Sequence, residues 1–320
     1  MYHGIVNVYK EAGYTSHDVV ARLRGIFKQK KIGHTGTLDP DAVGVLPVCL
    51  GNGTRLCDML TDRHKEYIAR MRLGLVTDTQ DISGKTLEER EVLSEPFRVR
   101  ETIMSFQGDS MQIPPMYSAL KVDGRKLYEL ARAGKEVERT PRPVTIYSIE
   151  VLKEEHPEYV FRAECSKGTY IRTLCHDIGR KLGDGAAMVS LERTRVGEFK
   201  AAEAYRINEL EELAGKGELS SVVVPVEKMF KNLPALVVKE RAFKLLQNGN
   251  QLKKEDFTDL CKKTAEAAEK RQDTTDDRTA NAGEVENQYR VYSPLGVFCG
   301  IYQYVDERRV FAPVKMFLGE

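Results

Sequence analysis

Apolar positions repeat with two different periods in the N-terminal part of the chain, and each period predicts one type of element. GIVNVYK (4–10) alternates like a short strand, and KEYIARMRLG (65–74) does the same. In SHDVVARLRGIFK (16–28), apolar residues instead recur every three or four positions, which is the spacing of one helix face. Ser16 and Asp18 are residue types that open helices, so we expect a helix to begin there.

Further along the chain, strands and helices alternate without forming regular βαβ repeats. Pro96 predicts a helix start, and Gly134 ends a helical pattern that begins at Lys126. The stretches 144–155 and 158–183 read as strand, strand, turn and then helix. The strand patterns are half exposed, which is typical of antiparallel sheets. The predicted fold class is therefore α+β with a mixed, mainly antiparallel sheet.

The composition changes near Leu233, and this change predicts a second domain. Residues 253–288 are polar and almost free of aromatics, with seven basic and ten acidic residues. This stretch is typical of a mobile insertion or a charged helix with a flexible flank. After it, QYRVYSPLGVFCGIYQYV alternates around a turn and predicts a hairpin. We therefore expect domains at 1–232 and 233–320, the second small, β-rich and interrupted at 253–288.

Composition and charge bear on two questions: whether the chain binds nucleic acid and whether it is soluble. The chain has 320 residues and a formal net charge of +1, so any surface for nucleic acid must be local. No run of about 18 apolar residues occurs, and the N-terminus lacks the order of a signal peptide. These features predict a soluble cytoplasmic protein that does not interact with membranes.

Several familiar catalytic and metal-binding motifs are missing from the sequence. The six cysteines include no C-x₂-C pair, so free thiols are expected and a zinc site is not. No H-x-x-x-H, H-E-x-x-H or G-x-S-x-G pattern occurs, which disfavours the corresponding hydrolases. DISGKT (81–86) is not a phosphate-binding loop, because Thr79 stands where the first glycine would be required.

KIGHTGTLDPDAVGVLPVCLG (31–51) places one carboxylate in a Gly- and Thr-rich turn before a hydrophobic run. Asp39 and Pro40 could simply cap a helix, since aspartate suits the N-cap and proline the first helical position. Alternatively, Asp39 could be a catalytic acid that acts alone. Asp41 is two residues away, but spacing does not show that it points the same way. Residue patterns leave both interpretations open.

The same segment resembles the catalytic motif of the pseudouridine synthases that modify uridine 55 in the tRNA T-loop. Four further blocks resemble that family in its order, so the resemblance covers residues 3–232, and the C-terminal segment is similar to the small β-barrel RNA-binding PUA domain. Residues 253–288 depart from the family pattern. The blocks are KEYIARMRLGLVTDTQDISGK, QIPPMYSALKVDGRKLYELARAGKEVER, CSKGTYIRTLCHDIGRKLG and the region of LERTRVGEF.

The resemblance implies a pseudouridine synthase fold and a reaction that one carboxylate can perform without a cofactor. It assigns Asp39 to attack on the ribose C1′ or to proton removal from C2′. It makes Arg172 the partner of that carboxylate, and we expect the guanidinium to lower the carboxyl pKa. It assigns Tyr67 to stacking on the target base and to proton transfer at C5. Without the resemblance, a cross-strand aromatic residue is the alternative interpretation of Tyr67.

The resemblance also implies how the RNA is held. Tyr170 and Leu191 match positions that line the uracil pocket, and His34 matches a residue that fills the space left by the flipped base. The implied partner is tRNA, bound by a monomer without an obligatory protein partner. The rival interpretations are a guide-RNA-dependent synthase and an RNA-binding or RNA-folding protein. Candidate phosphate-binding residues are Lys28, Lys30, Lys31, Lys121, Arg125, Lys126, Arg132, Lys135, Arg139 and Arg142.

Overall fold

The computed structural model describes residues 1–122, 124–258 and 287–318. Its strands and helices occupy most of this length. The α-helices are α1 Ser16–Ile26, α2 Cys57–Thr61, α3 Pro96–Met104, α4 Leu127–Arg132, α5 Ile171–Leu182, α6 Ile207–Lys216 and α7 Phe243–Gln247. The strands are β1 Gly4–Lys10, β2 Ile32–His34, β3 Val43–Leu50, β4 Lys65–Leu73, β5 Leu75–Thr77, β6 Thr86–Glu89, β7 Gly108–Gln112, β8 Lys121–Val122, β9 Arg125–Lys126, β10 Arg142–Glu155, β11 Glu158–Cys165, β12 Ala186–Val196, β13 Phe199–Lys200, β14 Ala235–Val237, β15 Leu252–Lys253, β16 Gln288–Tyr292, β17 Phe298–Val305 and β18 Val310–Met316.

A nine-stranded sheet forms the centre of the N-terminal part, in the order β1-β3-β12-β4-β11-β10-β7 with β2 and β13 at its margins. Its pairings are antiparallel except where β12 meets β3. The apolar alternation of β4 buries Tyr67, Ala69 and Met71 in a core shared with α3 and α5. The mixed, mainly antiparallel α+β fold is thus confirmed.

Helix α1 begins where the sequence pattern predicts. Its N-cap is Thr15, whose hydroxyl accepts the Asp18 N–H at 3.1 Å while the Asp18 carboxylate accepts the Thr15 N–H at 2.8 Å. This reciprocal capping satisfies backbone groups that have no partner within the helix. Ser16, the first helical residue, is buried and accepts the backbone N–H of Leu38 at 3.0 Å. The start of α1 therefore holds the segment that contains Asp39.

The C-terminal part is a five-stranded sheet in the order β14-β16-β17-β18-β15. A bridge between Val238, which follows β14, and Phe257, which follows β15, brings the two ends of that order together. The backbone N–H of Lys239 also donates to the carbonyl of Asp256 at 2.7 Å. The sheet therefore curls into a small barrel, as expected of a PUA-like domain.

The expected insertion at 253–288 overlaps residues that belong to this barrel. Lys253 ends β15, Phe257 is buried in the barrel core, and Gln288 begins β16. The rest of the predicted insertion, 259–286, lies outside the described residues. The division at 232/233 stays a prediction. No helix in the described part of the chain combines the length and the apolar character needed to cross a membrane.

The two sheets share a packed contact centred on Phe230 and Phe317. Asn52 is nearly buried there, and its side-chain amide donates to the Phe317 carbonyl at 2.9 Å. We expect Asn52→Ala to lower the free energy of unfolding by about 1–2 kcal/mol, because a buried carbonyl loses its donor. Urea denaturation of this variant and of the exposed control Asn208→Ala checks this. Equal stability of the two variants would contradict it.

Candidate active site

Asp39 lies in the loop between β2 and β3, on which no helix begins. Its neighbours Leu38 and Ala42 are buried in the core beside the central sheet. The Ala42 N–H donates to the Asp39 carbonyl at 3.1 Å and closes a turn over Pro40. The helix-capping interpretation of Asp39 and Pro40 is therefore wrong, and the anchored flanks hold the Asp39 side chain in place.

The side chain of Lys10 binds this loop through a backbone carbonyl. The sequence analysis did not identify this role. Its side chain is completely buried at the end of β1, and Nζ donates to the Pro40 carbonyl at 2.8 Å and the Glu11 carbonyl at 3.0 Å. Burial lowers the pKa of Lys10 to about 8, against the raising effect of the nearby Asp41 and Asp39 charges. The Lys10 ammonium group thus fixes the Pro40 carbonyl of the loop to the end of β1.

Arg172 pairs with Asp39 in a two-point contact. Its Nε lies 3.0 Å from Oδ2, and its Nη2 donates to Oδ1 at 3.1 Å. The guanidinium is only 5% exposed and also donates to the Tyr117 carbonyl at 2.8 Å and the Thr79 carbonyl at 3.0 Å. Such a planar, multiply bonded guanidinium has one orientation. Arg172 therefore holds the Asp39 carboxylate at a defined angle.

A second carboxylate shares this guanidinium. Asp81 Oδ2 lies 3.7 Å from Arg172 Nη1, so Arg172 compensates two acids. Burial raises the pKa of the Asp39 carboxyl above 3.8, and the Asp81 charge adds to the rise against the lowering effect of Arg172. Arg172 does lower this pKa, as expected, but desolvation outweighs the ion pair and the net shift is upward.

Tyr67 and Leu191 lie in the same buried core as Leu38. Tyr67 is on β4 opposite Arg193 of β12, and burial raises its pKa to about 12 despite the nearby Arg193 charge. Arg193 is 1% exposed and donates from Nε to the Val45 carbonyl at 2.7 Å. The Tyr67 phenol is therefore neutral at pH 7 and is buried beside the Arg193 guanidinium.

Tyr170 precedes α5 and is fixed through its backbone. The Gln112 side chain accepts the Tyr170 N–H at 2.8 Å and donates to the Tyr170 carbonyl at 3.0 Å, so it acts like a neighbouring strand. Burial raises the pKa of the Tyr170 phenol, and the Asp39 charge contributes to the rise. The predicted pocket residue thus stands within electrostatic reach of Asp39 and two residues before Arg172.

His34 ends β2 and is half buried. Its Nδ1 accepts the Gly36 N–H at 3.3 Å, and its ring lies 5.2 Å from the His17 ring in an edge-to-face contact. Burial lowers the pKa of His34, and the His17 and Arg193 charges lower it further. A neutral imidazole at the start of the Asp39 loop can stack on bases without adding a charge to the site.

The predicted residues converge, but three charged residues of the site were missed in the sequence analysis: Lys10, Asp81 and Arg193. A signal existed for two of them. Lys10 and Arg193 occupy buried positions of alternating strands, where a charge requires a specific reason. Asp81 gave no such signal, because it lies in a polar loop. The described residues contain no group of three or more His, Cys, Asp or Glu side chains arranged for a metal.

Comparisons with known proteins identify the family of this chain. Residues 24–171 match the N-terminal domain of the TruB family of pseudouridylate synthases, and residues 172–231 match the tRNA pseudouridylate synthase B C-terminal domain. A tRNA pseudouridine synthase B of Lachnoclostridium phytofermentans is 50% identical over 99% of this chain and 100% of its own length. One from Clostridium tetani is 46% identical over 81% of this chain and 89% of its own.

Among solved structures, a chain of the archaeal box H/ACA sRNP Nop10–Cbf5 complex has the same fold. It aligns with a TM-score of 0.67 over 99% of this chain and 86% of its own length, at 24% identity. At 24% identity, this structural match shows only that the fold is shared. The family models and the curated relatives match this chain in sequence, and they show the family. The chain belongs to the TruB family of pseudouridylate synthases.

Proposed function

We propose that this chain isomerises uridine 55 in the T-loop of tRNA to pseudouridine, acting as a tRNA pseudouridine synthase without a guide RNA. The observation that supports this most is the two-point Asp39–Arg172 pair, with Asp39 within electrostatic reach of the buried Tyr67 phenol. The curated relatives that align over most of this chain are named for the same activity. These relatives favour tRNA over a guide-selected RNA as substrate.

The reaction conserves every atom of the substrate. The bond from N1 of uracil to C1′ breaks, the bond from C5 to C1′ forms, and the proton lost from C5 is balanced by one gained at N1. An ionised Asp39 can begin the sequence by attacking C1′ or by removing the C2′ proton. Both routes divide one difficult step into easier ones, and both require the carboxylate form that Arg172 orients.

We assign the remaining predicted residues to the flipped base. Tyr67 stacks its neutral phenol on the base. It can serve in proton transfer at C5 only by giving its own phenolic proton to N1 as it accepts the proton from C5, which keeps the proton count balanced. Tyr170 and Leu191 border the uracil, and His34 takes the place of the flipped base in the T-loop. Flipping a stacked base out of the T-loop costs roughly a few kcal/mol. The contacts of the protein with the flipped base must offset this cost.

We further propose that residues 1–232 catalyse and residues 233–320 add RNA contacts, in a monomer without an obligatory protein partner. The exposed Lys28, Lys30 and Lys31 precede β2 and the Asp39 loop, so they are placed to meet phosphates. Affinity for tRNA should then fall steeply as salt rises.

Tritium release from a tRNA transcript carrying [5-³H]uridine tests the proposed function. The purified chain is incubated with the transcript alone, in EDTA, without guide RNA or added protein. Release equal to one tritium per tRNA, lost when uridine 55 is replaced by cytidine, supports the proposal. No release with tRNA still bound would favour a guide-dependent synthase or an RNA-folding protein.

The pH dependence follows from the Asp39 environment. The active form is the ionised carboxylate, and burial raises its pKa, so acid should stop the reaction at a higher pH than for an ordinary aspartate. We expect the single-turnover rate constant to fall with an apparent pKa above 3.8 as pH is lowered. Rapid-quench kinetics under saturating enzyme, with circular dichroism as a check on folding, measure this. A midpoint at or below 3.8 would contradict the role of burial.

A further inference from the structure

The turn formed by Thr79, Gln80 and Asp81 lies across the guanidinium of Arg172. The Thr79 carbonyl accepts from Arg172 Nη1 at 3.0 Å, and Asp81 Oδ2 lies 3.7 Å from the same nitrogen. The opposite edge of the guanidinium contacts Asp39. Any displacement of the turn would therefore move the group that orients Asp39.

Gln80, in the middle of this turn, has an unusual backbone conformation for a residue with a side chain. Its φ is +65°, in the left-handed region that glycine adopts readily and other residues rarely do. A conformation of this kind persists when the surroundings over-determine it, and it is concentrated at functional sites. The presence of glutamine here calls for a specific contact of its side chain.

That contact is a hydrogen bond to the helix that carries Arg172. The Thr173 hydroxyl donates to Gln80 Oε1 at 2.8 Å, and Thr173 is only 2% exposed. The Gln80 carbonyl meanwhile accepts the Met188 N–H at 3.0 Å, which ties the turn to β12. The turn is thus held on two sides: the side chain of Gln80 binds α5, and the backbone of Gln80 binds the central sheet.

Arg172 and Thr173 are consecutive residues of α5, and each binds the same turn. Arg172 donates a hydrogen bond to the Thr79 carbonyl, and the Thr173 hydroxyl donates one to the side-chain oxygen of the next residue, Gln80. The Thr173 bond adds nothing to the charge of the site and makes no contact with Asp39. Its effect is geometric, since it fixes the turn relative to the helix turn from which the guanidinium projects.

We propose that Gln80 and Thr173 are positioning residues, whose hydrogen bond clamps the Thr79–Asp81 turn onto α5 and so holds Arg172 in the orientation that aligns Asp39. This inference rests on the proposed function, since alignment has a consequence only if Asp39 reacts with the RNA. It adds two residues to the site that neither contact the reacting atoms nor carry a charge.

The test compares Gln80→Ala, Thr173→Val and their combination in single-turnover tritium release. We expect each single variant to react about five- to tenfold more slowly, while its Kd for tRNA changes less than about twofold. Both substitutions remove the same hydrogen bond, the one between Thr173 and Gln80. The double variant should therefore be no slower than the slower single variant. Thr173→Ser keeps the hydroxyl and should restore the rate.

Two further variants separate positioning from folding and strain. Gln80→Gly accepts the left-handed backbone freely but lacks the amide, so it should keep its melting temperature and still react slowly. Thr61→Val, which removes a hydroxyl bonded within α2, serves as the matched control at wild-type rate. A wild-type rate for Gln80→Gly, or effects that multiply in the double variant, would overturn the clamp. Failure of the wild-type chain itself to release tritium would instead overturn the proposed function.

Discussion

Replacement of Asp39 by asparagine should abolish isomerisation while the affinity for tRNA stays within about threefold of wild type. Asparagine has nearly the same shape and can still accept a hydrogen bond from Arg172, so the loop and pocket should persist. It has no negative charge, however, and can neither attack C1′ nor take a proton from C2′. We expect the single-turnover rate constant to fall by at least about 10⁴-fold.

The natural control is Asp41→Asn, because Asp41 is exposed in the same loop and only two residues away. It removes the same charge from the same loop. Filter binding at several salt concentrations and rapid-quench tritium release should be measured for both variants. If Asp39→Asn still turned over, or if Asp41→Asn were equally inactive, the assignment of Asp39 would be refuted.

Replacement of Arg172 by alanine should have the second-largest effect, with a loss of about 10³-fold in rate and a smaller loss in affinity. The carboxylates of Asp39 and Asp81 would then share a partly buried site without their common cation. Without the guanidinium, the pKa of Asp39 would rise further, and the acid limb of the pH profile would move to higher pH. Nothing would hold the carboxylate at its reactive angle.

Arg172→Lys separates charge from geometry at this position. A lysine retains the positive charge, but one ammonium cannot reproduce the contacts that the guanidinium makes with Asp39, Thr79 and Tyr117. We expect this variant to stay at least about tenfold below wild type. Arg180→Ala, an exposed arginine of the same helix, is the control. Wild-type rates for Arg172→Ala would remove this residue from the mechanism.

In the proposed mechanism, the reactivity of Asp39 depends on two opposing effects on its pKa, burial and the charge of Arg172. Arg172 alone would make Asp39 a weak base, whereas burial and Asp81 oppose that effect. A carboxylate that is oriented by a cation yet not strongly stabilised by it remains reactive towards C1′ or the C2′ proton. The second acid, which has no part in the expected mechanism, thus becomes a tuning element of the first.

The sequence by itself determined the local elements, because their causes are local. Alternation of apolar residues produced β1 and β4, and the reciprocal cap of Thr15 and Asp18 opened α1. The resemblance of several blocks then indicated the chemistry of Asp39. One boundary was less accurate: Phe257 belongs to the barrel core because it pairs with Val238, a contact that composition does not show.

Only the tertiary structure decided how these elements form a site. Asp39 and Arg172 are separated by 133 positions, so their two-point contact depends on the loop and on α5 packing against one sheet. The direction of the Asp39 pKa shift depends on burial, which is a property of the folded chain and not of a motif. The roles of Lys10, Gln80 and Asp81 depend in the same way on neighbours that are distant in sequence, since hydrogen bonds and desolvation act through space.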